Sequence, residues 1–359
     1  MRVYNFSAGP STMPEEVLKR IQAEFMDFEG SGMNPMEMSH RGKPYDNIHS
    51  GAIAALREVM GIPDDYYILL LQGGATQQFE AIPMNLLGKN NKADYVNTGH
   101  WATQAIKLAK PYGDIAEIAT SADKDFTYIP NIAGKERPDA NYLHITYNNT
   151  IRGTRFTAPP KTKLPLIADI SSMALSEPLN VKDFALLYAG AQKNIACAGV
   201  TIVIVKKELV DNDCTVKGIP QMYRWKAQAE KDSLLNTPPT FIIYVLLRML
   251  QDLKAKGGVE GIYKVNIEKA KRLYDCIDNS RFYSNPVNPA DRSLMNVIFR
   301  TPGEATDALF VKEAEKKGII AVKGHKSAGG LRASIYNAMT LEGVDYLVKF
   351  MKEFALANK

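Results

Sequence analysis

The sequence predicts an α/β protein: a large domain on a mostly parallel sheet, followed by a small α+β unit. Three observations predict it. Short apolar runs of strand character alternate with segments of helical periodicity between residues 66 and 205. Those runs repeatedly end in small or polar residues, the composition of the carboxyl edge of an open sheet. After Lys256-Gly257-Gly258, a hinge signal, a second alternation of helix, strand, helix, strand and helix closes the chain. The expected division is an N-terminal segment over 1–15, a large domain over 16–257 and a small one over 258–359.

Asn5-Phe6-Ser7-Ala8-Gly9-Pro10 is punctuated by Gly and Pro and predicts irregular backbone. A helix follows, with Thr12 as cap, Pro14 just inside and Glu15 and Glu16 in the first turn. Val17, Leu18, Ile21, Phe25 and Phe28 keep helical spacing until Gly30. The next stretch, 33–44, has no period but holds the cationic patch Ser39-His40-Arg41-Gly42-Lys43, which composition alone leaves as a solvated face. A second helix covers 45–60 and stops at Gly61.

The run 66–71 predicts a strand, and Gln72-Gly73-Gly74-Ala75-Thr76-Gln77-Gln78 turns from it into a helix carrying Phe79, Ile82 and Leu86. Two glycines there let backbone amides approach an anion. The stretch lacks both the P-loop ending and the Gly-x-Gly-x-x-Gly spacing, so a phosphate held here is single and small. The strand 93–96 repeats the design, with Thr98-Gly99-His100-Trp101 as its turn and a helix over 102–110. Trp101 suits either stacking on a flat cofactor or plain packing. Further strands cover 115–119, 142–146 and 199–205, the second ending in Tyr147-Asn148-Asn149-Thr150. A polar region, 206–233, precedes Asn236-Thr237-Pro238-Pro239-Thr240 and a helix over 241–254, whose free N-terminal amides suit an anion. The small unit reads as helices over 259–277, 306–316 and 341–356, with strands at 294–299 and 331–335. Its loop Gly324-His325-Lys326-Ser327-Ala328-Gly329-Gly330 and Arg332 gather three cations.

Two stretches organise the rest. Leu166-Ile167-Ala168-Asp169-Ile170-Ser171-Ser172 and Ala185-Leu186-Leu187-Tyr188-Ala189-Gly190-Ala191-Gln192-Lys193-Asn194 each begin as a strand and end in polar residues, setting Asp169 and Lys193 at one sheet edge. A lysine there can be dry enough to act as an amine nucleophile. Pyridoxal phosphate needs this combination, a lysine to hold it and a carboxylate for its ring nitrogen. On these two residues alone, a solvated lysine and an aspartate helix cap fit as well.

Composition narrows the classes further. The 359 residues are 45% hydrophobic, with 44 basic and 39 acidic side chains and a net charge of +5. That balance is too mild and too evenly spread for a nucleic-acid binder and suits a small anionic substrate. Cys197, Cys214 and Cys276 have neither metal-site spacing nor an even count, which points to a reduced interior and no metal. The N-terminus lacks the apolar core of a signal peptide, and the apolar run 241–250 is far below the roughly 20 residues of a membrane span, so no membrane and a cytoplasmic location are expected.

With these residues in place, the chain resembles the phosphoserine aminotransferase family, fold-type I, class V pyridoxal-phosphate enzymes, nearly end to end. The resemblance is carried by Asn5-Phe6-Ser7-Ala8-Gly9-Pro10, Met36-Glu37-Met38-Ser39-His40-Arg41-Gly42-Lys43, Tyr188-Ala189-Gly190-Ala191-Gln192-Lys193-Asn194, Asn236-Thr237-Pro238-Pro239-Thr240 and Arg332-Ala333-Ser334-Ile335-Tyr336-Asn337-Ala338-Met339. It implies a homodimer with active sites at its interface, the N-terminal segment beside them. It also implies amino transfer between glutamate and 3-phosphohydroxypyruvate in serine biosynthesis and, for some members, the phosphohydroxythreonine step of pyridoxal phosphate synthesis.

By the same resemblance, Lys193 would hold pyridoxal 5'-phosphate covalently, Asp169 would pair with the ring nitrogen, Trp101 would stack on the ring and Thr150 would meet its hydroxyl side. Ala75, Thr76 and Gln192 would bind the cofactor phosphate, with Asn236 and Thr237 from the other subunit. Arg41 and Arg332 match carboxylate-binding positions, and His40, His325 and Lys326 would surround the substrate phosphate. Thr76 and Lys326 stand where some relatives have arginine, and an ammonium lacks the guanidinium fork, which shifts weight to His40, His325 and Arg41. The rival readings are another class V aminotransferase, a cysteine desulfurase, and a non-catalytic nucleotide- or RNA-binding protein. Cys197, in an apolar stretch, is poorly suited to desulfuration, and no segment interleaves basic with aromatic residues.

Overall fold

Every residue of Ile202-Val203-Ile204-Val205 is buried, because helices cover both faces of the sheet that contains it. The computed structural model describes residues 2–358. In chain order β1 (Tyr4–Asn5), α1 (Glu15–Ala23) and α2 (Lys43–Met60) lead to β2 (Tyr66–Gln72), α3 (Gln78–Leu86), β3 (Lys92–Asn97), α4 (His100–Ala109) and β4 (Asp114–Thr120). Then come β5 (Leu143–Thr146), β6 (Leu166–Asp169), β7 (Leu186–Gly190), β8 (Val200–Lys206), α5 (Lys207–Asp211), α6 (Trp225–Ala229) and α7 (Thr240–Ala255). The remainder is α8 (Gly258–Asp278), β9 (Asn296–Phe299), α9 (Glu304–Lys316), β10 (Ile319–Ile320), β11 (Leu331–Ser334) and α10 (Leu341–Ala357).

The main sheet has the order β2-β8-β7-β6-β5-β3-β4, and β8 alone runs against its neighbours. All the other strands therefore end on one edge. Alternate residues face opposite layers: Ile68, Leu70, Ile202 and Ile204 pack with Ile48 and Leu56 of α2 and Leu246 of α7, while Leu69, Val203 and Val205 pack with Phe79 of α3, Ile106 of α4 and Trp225. Each such aliphatic side chain contributes about 1.5–3 kcal/mol by leaving water.

The small unit pairs β9 with β11 antiparallel and packs them against α8, α9 and α10. The N-terminal segment joins it. Strand β1 pairs parallel with β10, Tyr4 opposite Ile319, and Phe6 is buried in the small unit's core. No described helix is long and apolar enough to cross a membrane.

Most predicted elements stand within two residues of their expected bounds. The first helix does not. It spans only nine residues, begins after Pro14 rather than Thr12, and gains no side-chain cap. Beyond it the chain turns back: Asn34 Nδ2 donates to Phe25 O, Glu29 and Gly30 take positive φ, and Phe28 packs edge-on to Tyr244. Tertiary packing of the aromatic side chains overrides their helical spacing here. The polar region 206–233 holds α5 and α6, with Trp225 fully buried. Strands β1 and β10, two residues each, have no periodicity to betray them.

Candidate active site

The shared carboxyl edge of the sheet collects the turn after β2 with Ala75 and Thr76, that after β3 with Trp101, that after β5 with Thr150, Asp169 at the end of β6, and Lys193 just past β7. Lys193 Nζ donates to Thr150 Oγ1 at 2.8 Å. Its pKa is lowered to about 8, first by burial, with the Arg332 charge acting in the same direction and Asp169 opposing both. A substantial share of this amine is therefore neutral near pH 8, unlike an ordinary lysine.

Asp169 is 6% exposed. Its Oδ1 accepts from the Ser171 backbone N–H at 2.8 Å. Burial raises its pKa, against the pull of the Ser171 hydrogen bond, the Lys193 charge and Tyr188. The neighbouring strand residue is Tyr188, whose hydroxyl lies 2.9 Å from His144 Nε2.

From the small unit, β11 brings Arg332, whose Nη1 donates to the Thr150 carbonyl at 3.4 Å while its buried Nε has no partner. Burial presses its pKa down. His325 lies in the loop before β11; burial lowers its pKa, helped by the charges of His100, Arg332, Lys326 and Arg152. Lys326 is exposed on that loop.

A cradle lies on the other side of Lys193. A β-carbon on Gly190 would stand 2.7 Å from Gln192 Oε1 and 3.4 Å from the Ala75 backbone nitrogen, so Gln192 and the start of the β2 turn converge on one small space. Thr76 and the half-buried Trp101 complete this edge, but neither side chain makes a described hydrogen bond to Lys193 or Asp169.

Four expected residues keep other company within one chain. Arg41 is exposed and its backbone N–H donates to Ser39 Oγ at 3.4 Å, with His40 half-buried beside it. The Thr237 carbonyl accepts from Gln72 Nε2 at 2.5 Å, and Asn236 lines a cavity of about 200 Å³ with Gln72, Gln77 and Trp225. None of these four side chains makes a described hydrogen bond to Lys193 or Asp169.

Other groups at the site are not among the residues the sequence singles out one by one. Gly9 overlies the Lys193 stem, and Ser11 secures it, its N–H donating to Gln192 O at 2.9 Å and its hydroxyl to Lys193 O. The His100 ring sits 5.0 Å from Trp101 and 5.5 Å from His325. Tyr336 OH donates to Ala8 O at 2.7 Å, and Asn296 Nδ2 reaches both Ser334 and Tyr336. The contacts of Gly9 with Lys193, His100 with His325 and Tyr336 with Ala8 join residues far apart in the chain; the Gly and Pro punctuation before Ser11 and the words that carry the resemblance are the hints in the sequence.

An activated lysine facing a buried carboxylate at a sheet edge, under a cation-bearing second unit, is the architecture of a class-V aminotransferase, and that family matches residues 3–347. The phosphoserine aminotransferase of Nitrosomonas europaea is 50% identical, covering 98% of each chain, and that of Listeria monocytogenes serovar 1/2a is 50% identical over 100% of this chain and 98% of its own. A solved phosphoserine aminotransferase from Bacillus circulans subsp. alkalophilus superposes with a TM-score of 0.97 at 44% identity, covering 100% of this chain and 99% of that one. The chain belongs to the phosphoserine aminotransferases, a fold-type I branch of class V. Its cofactor is pyridoxal phosphate, and the residues fit it: an amine of lowered pKa, a buried carboxylate at the same sheet edge, and a cradle at Gly190 that a single methyl group would fill.

Proposed function

We propose that the chain moves the amino group of glutamate to 3-phosphohydroxypyruvate, giving 2-oxoglutarate and phosphoserine, in the cytoplasm and as a homodimer. The carrying observation is the Lys193 amine, buried, bonded to Thr150 and lowered to about pKa 8 beside Asp169. Bound pyridoxal phosphate supplies a carbonyl carbon that holds the amino group in transit and a protonated ring that accepts electrons when the substrate loses its α-proton.

Lys193 would hold that group covalently, and its Nζ, neutral in a substantial share near pH 8, is the amine placed to take a proton from the substrate α-carbon and to return one. Asp169, whose charge burial disfavours and the Lys193 charge supports, would pair with the ring nitrogen, and Thr150 orients Nζ. Gln192, Thr76 and the Ala75 amide would hold the cofactor phosphate, and Trp101 would lie against its ring. Arg332 binds the carboxylate common to both substrates. His325 and Lys326, joined by His40 and Arg41 of a second copy, receive either the second carboxylate of glutamate or the phosphate. Asn236 and Thr237 reach the cofactor phosphate across the same interface.

Amino transfer from glutamate, followed with 3-phosphohydroxypyruvate and with hydroxypyruvate, tests the proposal. A preference for the phosphorylated acid of about 10²-fold or more in kcat/KM is expected where several cations meet a phosphate. Equal rates would defeat the phosphate assignment.

A further inference from the structure

Lys269 of α8 is completely buried and has no acidic partner among the described residues. All three of its ammonium donors are used on backbone: Nζ donates to Ile335 O at 2.9 Å, Tyr336 O at 2.8 Å and Met339 O at 2.9 Å. Taking an ammonium out of water without a counter-charge is costly, and burial lowers its pKa to about 7. A methionine would fill similar space without that cost.

What the ammonium gathers is the turn between β11 and α10, which reaches Lys193 from two sides. The Asn337 backbone N–H donates to Asn194 Oδ1 at 2.9 Å, and Asn194 follows Lys193 directly. The Tyr336 hydroxyl donates to Ala8 O at 2.7 Å, and Ala8 precedes Gly9, which overlies the lysine stem. Asn266, one turn earlier on α8, braces the same turn, its Nδ2 donating to Asn337 Oδ1 and to Ser176 O, each at 2.9 Å.

We propose that Lys269 is a positioning residue for amino transfer: by drawing three carbonyls onto one ammonium it fixes the 335–339 turn, which sets Lys193 through Asn194 and through Ala8-Gly9. The inference rests on Lys193 being the reactive amine.

The test labels the full-length, cofactor-free protein with acetic anhydride across pH and reads modification of Lys193 by mass spectrometry, alongside kinetics of the holoenzyme. In Lys269→Met a loosened turn admits water to Nζ, and the labelling midpoint of Lys193 moves from about 8 toward the ordinary 10.5. The holoenzyme's kcat falls about tenfold or more while KM for both substrates stays within about threefold. An unchanged midpoint and kcat, with only a lower melting temperature, would assign Lys269 to stability alone and overturn the proposal. Should Lys269→Met not fold, Asn194→Ser cuts the same relay at its other end: the same upward shift supports the proposal and an unshifted midpoint overturns it. A shifted midpoint in a protein without amino transfer would defeat the functional reading and leave the positioning role standing.

Discussion

A β-carbon on Gly9 would stand 3.3 Å from Lys193 Cγ and 3.7 Å from its Cε, at a backbone φ of +139° that side chains avoid. The N-terminal segment is thus the cover of the lysine stem. Gly9→Ala meets both the strain and the crowding, so it should lower stability by about 1–3 kcal/mol and reduce turnover more than substrate binding. Thermal denaturation and steady-state kinetics check this; wild-type values in both would show that the segment simply moves aside.

The lowered Lys193 pKa has a direct consequence for pH. In the cofactor-free protein the folded value is about 8 and the ordinary one 10.5, so between them the unfolded chain binds more protons and stability rises with pH. Below pH 8 both states are protonated and the burial penalty is fully present. Lys193→Met should therefore stabilise the cofactor-free protein most below pH 8, with an advantage that shrinks as pH climbs toward 10.5. Denaturant titrations at pH 7 and 9.5 measure it; a constant advantage would contradict the lowered pKa.

How much of this was legible beforehand follows from what makes each feature. Asp169 and Lys193 end buried parallel strands, which are uninterrupted apolar runs, and such runs are visible in a sequence. The resemblance set the N-terminal segment beside the site, but the contact of Gly9 with the lysine stem carries no periodic signal, because it depends on β1 meeting β10, a two-residue pairing between Tyr4 and Ile319. Phe25 and Phe28 imitate a longer helix, yet Phe28 serves α7 through Tyr244 after the chain has turned back. His100 reads as one polar residue in a turn until folding sets it 5.5 Å from His325. Lys269 sits on a helix rich in lysine and glutamate, where one buried ammonium is indistinguishable from its solvated neighbours.

Asp169→Asn preserves shape and the Ser171 contact but removes the charge proposed to meet the ring nitrogen. The holoenzyme should still take up cofactor, seen as visible absorbance, while kcat falls about 10²-fold or more. Near-normal turnover would remove Asp169 from its assigned role.

Arg332→Lys replaces a fork with a point charge at a site whose Nε has no protein partner to keep it in place. Since both substrates carry the carboxylate it is assigned, KM should rise for both, by about 10–10²-fold, from the loss of a charge-assisted hydrogen bond. A rise confined to the phosphorylated substrate would move Arg332 to the phosphate instead. The exchange also leaves one cation near Lys193, so the labelling midpoint of that amine should move little; in Arg332→Gln it should rise.

Arg41 has no described hydrogen bond to Lys193 of its own chain, which makes a sharper demand. Arg41 is exposed and touches its own loop, so if it serves catalysis it serves the site of a second copy. Lys193→Ala and Arg41→Ala should each be nearly inactive as homodimers. In a mixed dimer one site carries both defects, and the other is intact because its lysine and its arginine come from different chains. Random re-association of equal amounts makes half the dimers mixed, each with one working site of two, and so restores roughly a quarter of wild-type activity. If Arg41 acted on the Lys193 of its own chain, every site in the mixture would carry one lesion and activity would stay at the level of the separate variants. Refolding the two variants together and apart and comparing their rates decides between these geometries.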